Sequence, residues 1–166
     1  MNFTIKKIVS ICLIPYAIWL IFFYQYHFID GANLLFHEAG HVIFSFFGET
    51  IQYLGGSFGQ LFFPTVCSVS FLKRGQKFEA AVCGVWFGEN VINISWYLGD
   101  AQAQIIPLVG GGIHDWYWLL SKTGLLSSCK LLSICVHLLG AMILTGAVIF
   151  LFNESFYAGK PRNLSD

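Results

Sequence analysis

Charged side chains are scarce in this sequence, and their scarcity excludes an ordinary soluble domain. Only 11% of the 166 residues are Asp, Glu, Lys or Arg, whereas 56% are hydrophobic and the mean hydropathy is +0.67. A typical soluble domain contains about 25% charged residues. The few charges stand in short groups between long apolar runs. The composition therefore predicts a chain whose main solvent is lipid.

The sequence also lacks an excess of basic residues and a cysteine framework. Nine Lys and Arg balance nine Asp and Glu, so no basic surface for phosphate backbones is expected and nucleic acid is not a predicted partner. The five cysteines include no C-x-x-C pair, and most lie within or beside apolar runs: Cys12, Cys67, Cys83, Cys129 and Cys135. We expect small buried residues there rather than disulfides or a cysteine zinc site.

Long apolar runs make up most of the chain. We predict one all-α integral membrane domain over residues 1–166, a polytopic helical bundle of about four to six membrane segments, some short or re-entrant. The predicted segments are 8–28, 33–47, 55–72, 78–98, 105–120 and 131–152. The first follows Lys6 and Lys7 and is too long for a signal peptide, so we expect an uncleaved anchor.

The basic groups predict an orientation in the bacterial cytoplasmic membrane. Lys6 and Lys7, the cluster from Lys73 to Lys77, and Lys160 with Arg162 should all prefer the cytoplasmic side. A fully spanning segment at 33–47 would leave one of these groups outside. We therefore favour a re-entrant segment at 33–47.

The segment 33–47 contains the sequence HEAGH at residues 37–41. On a helix, His37 and His41 share a face, so both imidazoles can reach one metal ion. Glu38 beside them can take a proton from water that the metal activates and pass it to a leaving amine. Because such groups are costly in an apolar helix without a partner, we favour zinc over a purely hydrogen-bonded cluster.

A catalytic zinc site needs a third protein ligand and an open position. Asp100, Glu89 and His137 are candidates, but the pair His114 and Asp115 follows the glycines 110–112, which allow the chain to bend toward the HEAGH segment. We predict His114 as the third ligand, with Asp115 as the alternative. If Asp115 binds the metal, His114 is expected to stabilise an oxyanion. The competing interpretation of His114 and Asp115 is that they mark a helix N-terminus, followed by an interfacial aromatic belt at Trp116 and Trp118.

Polar residues within the later segments allow two interpretations. Glu89, Asn90 and Asn93 lie near the middle of segment 78–98 and must face the bundle interior, either as a wall of the site or as interhelical hydrogen bonds. We name Asn90 and Asn93 as candidate substrate-binding residues that contact the backbone of an unwound peptide. Gly55 and Gly59 have G-x-x-x-G spacing, which favours close helix packing over a substrate-facing loop.

Residues 37–41, on an apolar helix of a small multi-span chain, resemble the membrane-embedded zinc metalloproteases of the site-2 protease family. The resemblance covers the HEAGH helix and little else. It implies a zinc site within the bilayer, with His37 and His41 as ligands, Glu38 as general base, and hydrolysis of a peptide bond in or near a membrane segment. That family takes its third ligand from an Asp-Gly motif on a later helix. Here Asp30-Gly31 precedes HEAGH and no Asp-Gly follows it, so the third ligand cannot be transferred.

The predicted function is an intramembrane or membrane-associated zinc metallopeptidase. Its cofactor would be Zn²⁺, its surroundings the lipid bilayer, and its substrate a membrane protein or peptide. One alternative is a membrane protein that binds or handles metal without hydrolysis. Another is a zinc-dependent hydrolase of lipids or amides. Glu38 distinguishes the enzyme from the metal-handling protein, because a metal carrier needs no general base beside its ligands.

Overall fold

The structure is a computed structural model that describes residues 2–109 and 112–157. Within these ranges it contains six α-helices and no β-strand, which confirms the predicted all-α class. The helices are α1 (Phe3–Phe23), α2 (Phe28–Phe44), α3 (Glu49–Lys73), α4 (Lys77–Gly99), α5 (Asp115–Thr123) and α6 (Cys129–Phe156). Short 3₁₀ turns at Ser45–Phe47 and Leu126–Ser128 lead into α3 and α6. Two helical stretches, α1 and Leu126–Phe156, are long and apolar enough to cross a membrane.

The helix that carries HEAGH begins earlier than predicted. The sequence predicted a first segment over 8–28 and a second over 33–47, but α1 ends at Phe23 and α2 already starts at Phe28. The reason is a capping box: the Asp30 carboxylate accepts the main-chain N–H of His27 at 2.7 Å. This bond satisfies a donor at the helix start that would otherwise lack a partner.

The predicted segment 105–120 is not one helix. Residues 105–109 and 112–114 form no α-helix, residues 110 and 111 lie outside the described ranges, and α5 begins only at Asp115. The Asp100 carboxylate accepts the N–H groups of Ile105 and Ile106 at 3.0 and 2.9 Å, which holds the chain in a loop. His114 then caps α5, because its Nδ1 accepts the N–H of Tyr117.

Helix α4 lies at the centre of the bundle. It packs against α6 and α3, and the largest buried apolar cluster joins it to α1 and α6. That cluster consists of Ala17, Leu20, Phe78, Ala81, Val85, Ile92, Leu144 and Leu151. A Cβ atom added to Gly88 would lie 2.8 Å from the main-chain nitrogen of Leu144, so the contact between α4 and α6 requires glycine.

Glycines bring α2 and α3 into backbone contact. A Cβ atom on Gly40 would overlap the carbonyl oxygen of Gly55, and one on Gly59 would overlap that of Phe36. The packing interpretation of the G-x-x-x-G spacing is therefore the one that the structure bears out. The contact holds the HEAGH helix against the face of α3 that carries Gly56 and Gln60.

Candidate metal centre

Three side chains predicted as metal ligands converge at one point. His37 Nε2 lies 2.8 Å from Asp115 Oδ2, and His41 Nε2 lies 3.2 Å from the same oxygen. One possible ligand atom from each of the three residues lies within 4.8 Å of the other two. The two histidines point the same way because they are one helical turn apart on α2. The start of α5 brings Asp115 to them. We call these three residues the metal centre.

His114, the preferred third ligand in the sequence prediction, does not lie at this point. Its ring stacks on Tyr97 with 4.1 Å between ring centroids, and its Nε2 lies 3.7 Å from the Asp100 carboxylate. Burial lowers the pKa of His114, which favours the neutral ring. The ring is fully buried, so it offers no donor to the cavity described below, as the expected oxyanion role would need. The structure thus brings the alternative, Asp115, to the histidine pair.

The remaining ring nitrogen of each histidine faces a carbonyl oxygen. His37 Nδ1 lies 2.8 Å from Gln60 Oε1, and His41 Nδ1 lies 2.7 Å from the main-chain oxygen of Gln52. A carbonyl oxygen only accepts hydrogen bonds, so each Nδ1 must carry the hydrogen. In a neutral imidazole the Nε2 atom then holds a lone pair. Both lone pairs face Asp115.

Burial acts to raise the pKa of Asp115, but hydrogen bonding with His37 and His41 outweighs burial and lowers the pKa, so the carboxylate is negative at neutral pH. When both rings are neutral, two Nε2 lone pairs join this carboxylate as acceptors around one point, which a bound cation stabilises. Two imidazole nitrogens and one carboxylate oxygen form a donor set that zinc accepts in proteins. The residues present therefore fit a zinc ion.

An open cavity of about 740 Å³ adjoins the metal centre. Glu38 is exposed and lies on the cavity wall with His37, His41 and Asp115. The rest of the described wall is mainly aromatic and aliphatic, with Tyr26, Leu34, Tyr53, Trp96, Tyr97, Ile106, Pro107, Leu108, Val109 and Ile113. No lysine or arginine is among its described lining residues. The metal centre is therefore open to this cavity beside Glu38.

The two candidate substrate-binding residues belong to an interhelical hydrogen-bond network. Asn90 is fully buried, and its Oδ1 accepts a hydrogen bond from Gln60 Nε2 at 3.2 Å. Asn93 lines the cavity, but its Oδ1 also accepts from Gln60, at 3.0 Å, and its Nδ2 donates to Asp30 and Tyr24. The hydrogen-bond interpretation therefore describes both residues, and Asn90 has no surface open to a substrate.

Sequence reasoning missed three groups around the metal centre. Gln60 and the main-chain oxygen of Gln52 bind the two histidines, and Tyr97 Oη accepts the main-chain N–H of Asp115 at 3.2 Å. Gly56 leaves room for the His37 ring, because a Cβ atom at that position would overlap it. In the sequence, Gln60 stands out only as an amide side chain between the glycines of α3 and the apolar run that follows them.

A second buried polar cluster lies at the start of α2, and we call it the cap cluster. It contains His27, Asp30 and Glu89, whose possible ligand atoms also lie within 4.8 Å of one another. Asp30 Oδ1 accepts the hydroxyl hydrogen of Tyr24 at 2.8 Å, and Asn33 Nδ2 donates to both Glu89 oxygens at 3.1 and 2.9 Å. Hydrogen-bond donors therefore reach both carboxylates.

Comparisons of the chain with protein-family models, curated proteins and solved structures found no match. The geometry of the metal centre and its cavity is therefore the basis for inferring a function.

Proposed function

We propose that this protein is an integral membrane zinc metallopeptidase in which His37, His41 and Asp115 hold the metal and Glu38 is the general base. The observation that carries the proposal is the convergence of two imidazole nitrogens and a buried carboxylate beside an open cavity. Bound zinc would supply Lewis-acid chemistry, polarising a carbonyl group and making water acidic near neutral pH.

The residues of the chain have separate roles in this proposal. Glu38 accepts a proton from the attacking water and passes it to the amine that leaves when the peptide bond breaks. Asp115 provides negative charge at the centre, and Tyr97 holds the start of α5 through the main-chain N–H of Asp115. The aromatic and aliphatic wall binds the apolar side chains of the substrate.

The distribution of side chains supports a site within a membrane. Large apolar side chains face outward, for example Phe22 at 70% exposed, Leu35 at 72% and Met142 at 66%. Polar groups face inward, since Glu89 and Asn90 are completely buried. A soluble protein of this size would place more charge outside and fewer polar groups inside. Lipid around the bundle accounts for both features.

Helix lengths and contacts support a polytopic arrangement with four crossings. α1, α3, α4 and α6 contain 21, 25, 23 and 28 residues, enough for a hydrocarbon core of about 30 Å at about 1.5 Å per residue. α2 has only 17 residues and α5 only nine. We propose that α2 stays within the membrane without crossing it, as the re-entrant prediction requires.

The basic residues support a cytoplasmic orientation for one end of this bundle. Lys6 Nζ lies 3.7 Å from Glu79 Oε1, and Ser10 Oγ lies 2.6 Å from Ser155 Oγ, so the starts of α1 and α4 and the end of α6 share one end. The end of α3 joins the start of α4 there. This end carries Lys6, Lys7, Lys73, Arg74 and Lys77. We propose that it faces the cytoplasm of a bacterium.

Metal analysis and two substitutions test the proposal. Wild-type protein purified in detergent should contain about one zinc ion per chain, and His41→Ala should contain almost none, because a metal ligand is lost. Glu38→Gln should keep its zinc and lose cleavage of membrane-segment peptides by about 10²- to 10⁴-fold, because the general base is lost.

Three results would contradict this function. Zinc content that is unchanged in His41→Ala would rule out the centre. Zinc binding without any cleavage that depends on Glu38 would favour the metal-handling alternative. Glu38-dependent hydrolysis of lipids or small amides, with peptides left intact, would favour the second alternative.

A further inference from the structure

We propose that Gln60 is a positioning residue that keeps His37 in the tautomer able to bind metal, and that Asn90 and Asn93 keep Gln60 in the required orientation. This inference rests on the proposed metal centre. It concerns residues that do not touch the metal themselves.

The orientation of the Gln60 amide decides whether Nδ1 of His37 carries a hydrogen. With Oε1 toward His37, as in the structure, the ring donates from Nδ1 and keeps its Nε2 lone pair for a metal. With the amide reversed, the NH₂ group would face Nδ1. The neutral ring would then accept at Nδ1 and carry its hydrogen on Nε2, where it would block metal binding.

Two asparagines of α4 hold the amide in the first orientation. Gln60 Nε2 donates to Asn90 Oδ1 at 3.2 Å and to Asn93 Oδ1 at 3.0 Å. A reversed amide would place the Gln60 oxygen against both of these acceptor oxygens. Gln60 is only 3% exposed, so water cannot compensate for the lost bonds.

The asparagines are oriented in turn by groups that cannot reverse. Asn90 Nδ2 donates to the main-chain oxygen of Trp86 at 3.0 Å, and a main-chain carbonyl can only accept. Asn93 Nδ2 donates to the Asp30 carboxylate at 2.8 Å. Fixed groups on α4 and at the start of α2 therefore orient the two asparagines. The asparagines orient the Gln60 amide, and the amide places the hydrogen on Nδ1 of His37.

Zinc affinity and the tautomer of His37 test this inference together. Gln60→Leu removes the acceptor and should weaken zinc binding about 10- to 100-fold, measured by competition with a chelator. In metal-free protein, nitrogen-15 spectra of the imidazole should show a hydrogen on Nδ1 of His37 in the wild type and a reduced share of it in Gln60→Leu. Gln60→Glu keeps an oxygen acceptor toward His37, although its second oxygen faces Asn90 and Asn93, so it should weaken zinc binding less than Gln60→Leu does.

Gln52→Leu is the matched control on the same helix. The contact with His41 uses the main-chain oxygen of Gln52, so this substitution should leave zinc affinity and both tautomers unchanged. Asn93→Leu is a second test if Gln60→Leu does not fold. It frees the Gln60 amide without touching His37, and it should weaken zinc binding less than Gln60→Leu does.

The outcomes separate this inference from the proposed function. If wild type binds zinc and folded Gln60→Leu or Asn93→Leu binds it equally well, the positioning role is wrong and the metal centre stands. If wild type binds no zinc, the proposed function fails, and the nitrogen-15 spectra of the metal-free protein still decide the tautomer. A His37 ring without a hydrogen on Nδ1 in the wild type overturns the inference.

Discussion

The metal centre and the cap cluster contain the same kinds of residues but differ in their neighbours. Each combines histidine with carboxylate, and each takes residues from α2. At the cap cluster, neighbouring groups donate hydrogen bonds to the carboxylates: Tyr24, Asn33, Asn93 and the main-chain N–H of His27. At the metal centre, the groups that meet the histidines are carbonyl oxygens of α3.

From this difference we expect neighbouring groups, more than residue types, to distinguish a metal site from a hydrogen-bonded cluster. A carboxylate surrounded by donors is stabilised by hydrogen bonds and needs no ion. Imidazoles whose Nδ1 hydrogens are bound by carbonyls present lone pairs on the opposite side of the ring. The cavity reinforces the contrast, because the metal centre opens onto it beside Glu38.

The largest difference is expected between Asp115→Asn and Asp30→Asn. Both changes replace a buried carboxylate by an amide of the same shape. Asp115→Asn removes a negative ligand, so we expect zinc content to fall from about one ion per chain to almost none. Asp30→Asn touches none of the three proposed ligands and can keep an oxygen acceptor for Asn93, so it should retain most of its zinc. Equal loss of zinc in the two folded variants would mean that the clusters do not differ as argued.

A smaller effect is expected from Gly56→Ala, with Gly31→Ala as the control. The added methyl group at position 56 would overlap the His37 ring, which must shift. We expect zinc affinity to fall about tenfold or more, because small ligand displacements weaken a metal site. At Gly31 nothing lies within 4 Å of the added group, so zinc affinity should not change. Chelator competition on both variants measures the difference. Equal affinities in the two variants would contradict this account of the His37 pocket.

Apolar runs predicted the long helices, whereas side-chain caps set the boundaries that sequence reasoning missed. The predicted segments 55–72 and 78–98 lie within α3 and α4, because their apolar length requires helices of that size. The early start of α2 depends on one hydrogen bond from His27 to Asp30. The loop within 105–120 depends on two bonds to Asp100. Neither bond could be assigned from the sequence, because an aspartate does not show which main-chain N–H groups it will accept.

The histidine pair could be placed on one helix face from its spacing, but the third residue could not be chosen. His114 and Asp115 are neighbours, and neighbours at a helix start point in different directions. His114 turns back to cap α5, which leaves Asp115 to face α2. Gln60 reaches His37 across a helix interface, so its role follows from packing and not from the spacing of residues along one helix.

The smallest expected effect is a change in thermal stability when zinc is removed. A ligand that binds only the folded state at about 100 times its Kd stabilises that state by about 2.7 kcal/mol. For a chain of this size, we expect a chelator to lower the Tm of the wild type by about 5 °C. Asp30→Asn should show the same decrease, because its metal centre is intact. Asp115→Asn should show none, since it has no zinc to lose. A chelator effect that disappears in Asp30→Asn and persists in Asp115→Asn would assign the ion to the cap cluster instead.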